Sequence, residues 1–252
     1  MIRATIIPWR ALPLRPALLA GTAAVLVGAC SSDLMLPDDP GARTLALAVA
    51  DGDAQQGRVA EVLSRPIVVR VADQTGAPVA GVKLVFVPGA GATGASVLPD
   101  TAVTDAGGRA GVLWVLGTVA GRQTLEAHLA EQPAAPPSAV FTAEAAPGAP
   151  DTLQLVSGDG QVGFPGTQLP QPLTVRVVDR FGNGVAGARV RWRVESGRGE
   201  TDPSIATTGG DGQATAVWTL GMSLKEQRVE ATVDGVAGSP ATFRATPGQF
   251  GS

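Results

Sequence analysis

One pattern of sixteen residues occurs twice in this chain and limits the folds open to it. The first copy is Pro66-Ile-Val-Val-Arg-Val-Ala-Asp-Gln-Thr-Gly-Ala-Pro-Val-Ala-Gly81 and the second is Pro172-Leu-Thr-Val-Arg-Val-Val-Asp-Arg-Phe-Gly-Asn-Gly-Val-Ala-Gly187. Nine positions are identical in register: Pro66/Pro172, Val69/Val175, Arg70/Arg176, Val71/Val177, Asp73/Asp179, Gly76/Gly182, Val79/Val185, Ala80/Ala186 and Gly81/Gly187. Each copy reads as a strand, a tight polar turn and the entry to a second strand. A chain built this way folds as two copies of one unit.

The hydrophobic pattern supports that reading. Ile67, Val69 and Val71 share one face of a period-2 segment, and Leu173, Val175 and Val177 share the matching face in the second copy. Ala110, Val112, Trp114 and Leu116 form another face, matched by Ala214, Ala216, Trp218 and Leu220. Phe86 corresponds to Trp192, and Phe141 to Phe243. The pattern predicts about seven short strands per copy, separated by turns rich in Gly and Pro. This is an all-β protein of two tandem immunoglobulin-like antiparallel β-sandwiches. The chain has one cysteine, so no disulfide can link the sheets within it. Large aromatic side chains must fill the centres instead.

The expected boundaries are 43–146 for the first sandwich, 147–150 for a linker, 151–247 for the second sandwich and 248–252 for a tail. Pro147-Gly-Ala-Pro150 leaves the linker little freedom and predicts a semi-rigid end-to-end arrangement. Asp73 and Asp179 are placed to bond the turn backbone that follows them, and Gly and Asn in those turns tolerate positive φ.

The combined motif resembles the group 1 bacterial Ig-like domain of the invasin and intimin adhesins. It comprises the repeated sixteen residues, then Gly89-Ala-Gly91, Thr104-Asp105-Ala-Gly-Gly108-Arg-Ala110 and Trp114-Val-Leu116-Gly117. The second copy has Gly197-Arg-Gly199, Thr208-Gly-Gly-Asp-Gly212-Gln-Ala214 and Trp218-Thr-Leu220-Gly221, and lacks an Asp directly after Thr208. The resemblance implies the sandwich fold and mostly a stalk role. In such adhesins attachment lies in a lectin-like tip and export uses an outer-membrane barrel, and nothing in these 252 residues reads as either.

The start of the chain gives the sharpest chemical statement. Residues 1–16 carry Arg3, Arg10 and Arg15 and no acid, and residues 17–29 are apolar and uncharged. That run is shorter than the ~20 residues a permanent span requires, and it reads as a signal peptide, 1–29. Val27-Gly28-Ala29-Cys30 resembles a bacterial lipobox. The resemblance implies cleavage before Cys30 and lipid attachment to its thiol. Ser31 and Ser32 follow, a pattern that points to the outer membrane, on its periplasmic face or at the cell surface. Residues 30–42 then form the acylated Cys30 and a flexible tether. The twelve residues after Cys30 reach at most about 40 Å.

Charge and residue types exclude several functions. Removal of Arg3, Arg10 and Arg15 leaves 16 basic residues against 22 acidic ones, which argues against nucleic acid and against non-specific binding to anionic lipid. His128, the one histidine, reads as an exposed strand residue. No zinc ligand set, nucleophile–base pair or cofactor motif is present, so the chain reads as non-catalytic and cofactor-free. Carboxylates crowd the loops at Asp51, Asp53, Asp73, Asp105, Asp151, Asp159, Asp179 and Asp211, where turn chemistry and calcium are alternative explanations. Arg189, Arg191 and Arg193 alternate with Val190 and Trp192 as a cationic stripe, the candidate contact for an acidic polysaccharide or for phosphate. The alternative is a solvated face that blunts edge pairing. The expected function is a lipid-anchored structural or protein-interaction module of the cell envelope, with an envelope protein or polysaccharide as partner. A carbohydrate- or host-surface-binding adhesin is the alternative, and an accessory to an envelope hydrolase a third.

Overall fold

The computed structural model describes residues 44–131 and 138–248. Within them the first sandwich contains β1 (Ala46–Asp51), β2 (Gln55–Arg58), β3 (Ile67–Ala72), β4 (Lys83–Pro88), β5 (Ser96–Leu98), β6 (Thr101–Val103), β7 (Arg109–Val115), β8 (Gly121–Leu129) and β9 (Ser138–Ala146). The second contains β10 (Thr152–Ser157), β11 (Gln161–Gly163), β12 (Leu173–Val178), β13 (Arg189–Ser196), β14 (Glu200–Asp202), β15 (Ile205–Thr207), β16 (Gln213–Thr219), β17 (Gln227–Thr232) and β18 (Ala241–Pro247). The sheet orders are β1-β3-β7-β5 and β2-β9-β8-β4-β6, then β10-β12-β16-β14 and β11-β18-β17-β13-β15. The second sandwich repeats the first strand for strand.

Each domain therefore has nine strands where the alternation predicts about seven. The first domain adds β2 and β6 to the predicted seven, and the second, in which the alternation marks six, adds β11, β14 and β15. All are three or four residues long, too short to show a period. The sandwiches also depart from the antiparallel expectation at one place each. β2 pairs with β9 in parallel, Gln55 opposite Ala143, and β11 pairs with β18 in parallel, Gln161 opposite Ala245. The chain leaves one sheet after the first strand and crosses to the other, where it runs alongside the last strand in the same direction.

A glutamine holds each crossing, buried at Gln55 and half-buried at Gln161. Gln55 Nε2 donates to the carbonyls of Gly52 (2.7 Å) and Arg65 (3.0 Å), and its Oε1 accepts from Arg65 N. Gln161 repeats this with Gly158, Gln171 O and Gln171 N.

The alternation is the core. Ile67, Val69, Val71, Leu84, Phe86, Trp114, Leu125 and Phe141 are buried in one cluster, and Leu173, Val175, Val177, Val190, Trp192, Trp218, Val229 and Phe243 in another. Trp114, Trp218, Phe141 and Phe243 are fully buried. Each such ring removes on the order of 150–250 Å² from water, about 4–6 kcal/mol of transfer free energy as an upper estimate. Trp192 and Phe243 meet at 5.7 Å between ring centroids with planes tilted by 48°. The two clusters share no residue, so each sandwich is a self-contained core.

Candidate interdomain junction and binding surfaces

The turn after β12 does more than reverse the chain. Asp179 is buried, and its Oδ1 accepts the backbone N–H groups of Phe181 (2.8 Å) and Asn183 (2.9 Å). Its Oδ2 accepts Gly148 N of the linker at 2.8 Å and Asn183 Nδ2 at 2.9 Å. Burial pushes this carboxyl upward, but the Asn183 amide and the N–H groups of Gly148, Asn183 and Phe181 outweigh it and hold it below the usual carboxylate range.

Asn183 then reaches the first domain. Its Oδ1 accepts Ala120 N at 2.9 Å, and its Nδ2 donates to Thr118 O at 2.9 Å. The amide orientation follows from its partners, since one offers only an N–H and the other only a C=O. The receiving loop is itself held from below. Fully buried Gln123 accepts Gly117 N at 2.7 Å and donates to Val119 O at 2.8 Å. One network thus joins the β7–β8 loop of the first domain, the linker and the β12–β13 turn of the second. Clefts of about 590 and 290 Å³ flank it. Glu144 of the first domain lines the first with Arg176 and Asp211 of the second, and Glu61 lines the second with Asp151, Asp179 and Arg180. Arg180 also lies over the Phe181 ring, 4.6 Å from its centroid.

The other loop carboxylates serve the backbone as well. Asp53 accepts Thr142 N (2.8 Å) and Thr142 Oγ1 (3.1 Å). Burial opposes its ionisation, but these bonds, one from Ala54 N and the charge of Arg122 leave its carboxyl lowered. Asp159 accepts Arg244 N, and Asp73 accepts Thr75 N and Ala77 N. Asp105 accepts Gly107 N and Arg109 N, whereas Asp211 in the matching turn accepts Gln213 N. The Asp missing after Thr208 is therefore a turn residue in the first copy. Among the described residues no group of three His, Cys, Asp or Glu is arranged to hold a metal ion.

Arg70 and Arg176, matched in sequence, both bond turn carbonyls, Arg70 in the turn after its own strand and Arg176 in that turn through Gly182 O at 3.5 Å and in the β15–β16 turn. Arg70 donates to Gly76 O at 3.1 Å, and Arg176 Nε donates to Asp211 O at 3.0 Å.

The arginine stripe is placed outward as expected, but it is not uniformly cationic. Arg191 pairs with Asp234, and Arg193 with Glu195 and with Glu230 at 3.2 Å. Arg193 stands directly opposite Glu230 on β17, which neutralises the row. Arg189 forms no ion pair among the described residues. Nor is β13 an edge: it lies between β17 and β15, so its charges do not blunt edge pairing along that length.

His128 also departs from expectation. It sits on β8, inside the sheet, opposite Val85 on one side and Ser138 on the other. Its side chain is only 13% exposed, and Nε2 lies 3.2 Å from Glu126 Oε2. Trp114 and Trp218 are core and offer no stacking face; their Nε1 atoms are buried without a partner among the described residues. Cys30 lies outside the described residues, as do the signal, the tether and most of the tail. Among the described residues no helix is long and apolar enough to cross a membrane.

Sequence reasoning missed Gln123 and Gln227, and gave Thr104 and Thr208 only as motif positions without a role. All are buried polar residues matched between the copies. Thr104 Oγ1 accepts Val82 N and donates to Val79 O, and Thr208 Oγ1 accepts Ala188 N and donates to Val185 O. Their repetition at one spacing was the available signal.

Comparison with known proteins bears on this architecture. Nothing among the curated proteins matches the chain. Among solved structures, it is similar to the Escherichia coli adhesin FdeC at 21% identity and a TM-score of 0.47, over 80% of this chain and 64% of that one. It is similar to Yersinia pseudotuberculosis InvD at 19% identity and a TM-score of 0.46, over 82% of this chain and 59% of that one. For invasin, described as a bacterial integrin-binding protein, the values are 22% and 0.36, over 81% and 39%. Residues 169–246 match the family model described as bacterial Ig-like domain (group 1). The chain thus carries a group 1 bacterial Ig-like domain over those residues, and its first sandwich repeats that domain's sheet topology strand for strand.

Proposed function

We propose that the protein is a non-catalytic arm of the bacterial cell envelope, lipid-anchored through Cys30 to the outer membrane, holding two Ig-like domains as one stiff unit. The observation that carries this reading is the junction network of Asp179, Asn183 and Gly148, which ties linker and loop into both domains. A flexible display tether would gain nothing from burying a carboxylate at its hinge, whereas a spacer that must keep its length does. The partner in this reading is an envelope protein or a polysaccharide. Arg189, Arg191 and Arg193 are the proposed contact for the latter, because exposed ion pairs are worth only ~0–1 kcal/mol and exchange readily for a ligand carboxylate or phosphate.

Cys30→Ala tests the anchor. Acyl labelling should vanish and the protein should leave the membrane fraction. Labelling that persists in this variant refutes attachment at Cys30.

A further inference from the structure

The second domain repeats the receiving loop that the first domain uses at the junction, and the chain itself shows what such a loop accepts. Fully buried Gln227 accepts Gly221 N at 2.8 Å and donates to Gly221 O at 2.9 Å and Ser223 O at 3.1 Å, as Gln123 does for Gly117 and Val119. By register, Leu224 N–H and Met222 C=O then correspond to Ala120 N–H and Thr118 C=O, the two groups gripped by Asn183. Among the described residues neither has a partner. Met222 and Leu224 are 78% and 76% exposed, the highest values among the large hydrophobics of the described residues.

The surroundings have changed sign. In the first domain Glu61 and Glu144 border the loop. In the second, Thr167 and Thr246 stand at those positions, while Arg198 lines a cleft of about 490 Å³ beside Met222, and Lys225 follows Leu224. Neither Arg198 nor Lys225 forms an ion pair among the described residues.

The geometry points to a docking surface at residues 221–225 for the turn, equivalent to the β12–β13 turn here, of a further Ig-like domain on another chain. That turn carries Asn at the position of Asn183 and an acidic residue where this chain has Arg180. Asn supplies the amide that fits the Leu224 N–H and Met222 C=O, and the acid meets Arg198 beside Met222. A second copy of this chain does not qualify. Its first domain has Ala77 in place of the Asn, and its second-domain turn is engaged and carries Arg180. This surface does not depend on the lipid anchor, so it can fail while the anchor stands, or the reverse.

The test is an NMR titration of the isotope-labelled chain, followed at the backbone amides of Met222, Ser223 and Leu224. The probe is the second-domain fragment, residues 148–248, carrying Arg180→Glu, with Leu224→Asp added to block self-pairing. With no linker to raise the effective concentration, the expected dissociation constant is about 0.1–1 mM. Adding Asn183→Ala to the probe should weaken binding at least tenfold, and restoring Arg180 should weaken it severalfold. Absence of shifts at 222–224 with probe at about 2 mM, shifts that survive Asn183→Ala, or equal binding with Arg180 restored would each overturn the proposal.

Discussion

Asn183→Ala removes the two hydrogen bonds that cross between the domains without touching either core. Each is a neutral bond at 2.9 Å in a partly buried setting. Such bonds contribute about 0.5–1.5 kcal/mol apiece, so the loss in coupling is about 1–3 kcal/mol. The turn also loses the donation from Nδ2 to Asp179, but that carboxylate keeps the N–H groups of Gly148, Phe181 and residue 183. For a domain of this size each kcal/mol moves the melting midpoint by about 4–8 °C, so a central coupling loss of about 2 kcal/mol predicts a drop of about 8–16 °C. Differential scanning calorimetry measures it, on the whole chain and on the fragment 148–248, whose core is its own. The interdomain share should appear only in the whole chain. Equal losses in chain and fragment would show that Asn183 serves its own turn alone, and the coupled-arm reading would fall.

Acid should loosen the same junction. Asp179 and Asp53 have folded pKa values below their ordinary ones, so the stability they supply is full above that ordinary value and is lost as pH falls through the lower folded one. Urea midpoints should therefore decline below about pH 4, and Asp179→Asn should flatten part of that decline. A pH profile identical in wild type and variant would contradict this account. Gln227→Leu should cost about 2–5 kcal/mol, because it leaves the buried Gly221 N–H and C=O without partners; a change under about 1 kcal/mol in chemical denaturation would refute the role assigned to this glutamine. Gly221→Ala would set a Cβ 1.7 Å from Gly197 O, a side-chain carbon against backbone that cannot give way. The second domain should then fail to reach its native melting transition, while the first retains its own.

Much of the architecture was legible because hydrophobic burial is periodic. Leu173, Val175 and Val177 alternate in the chain, and they share a face because a strand repeats every two residues. The turn roles of Asp73 and Asp179 were equally legible, since an Asp side chain bonds N–H groups two and four residues ahead in its own turn. Short strands such as β14 and β15 were not, because three residues cannot display a period. The candidate sites were read less well. The arginine stripe was placed on the correct face, but its neutralisation by Asp234 and Glu230 depends on which strand lies beside β13.

The sequence by itself determined that there are two domains, which aliphatic and aromatic residues build each core, and where the chain turns. Only the tertiary structure decided that Gln55 and Gln161 carry the first strand across to the opposite sheet, that Gln123 and Gln227 shape the loops at the domain ends, and that Asn183 grips a loop 65 residues earlier in the chain. The difference is physical. Apolar side chains respond to burial in general, and their order along the chain records it. A buried amide responds to particular donors and acceptors, and those are brought to it from distant segments only when the fold closes.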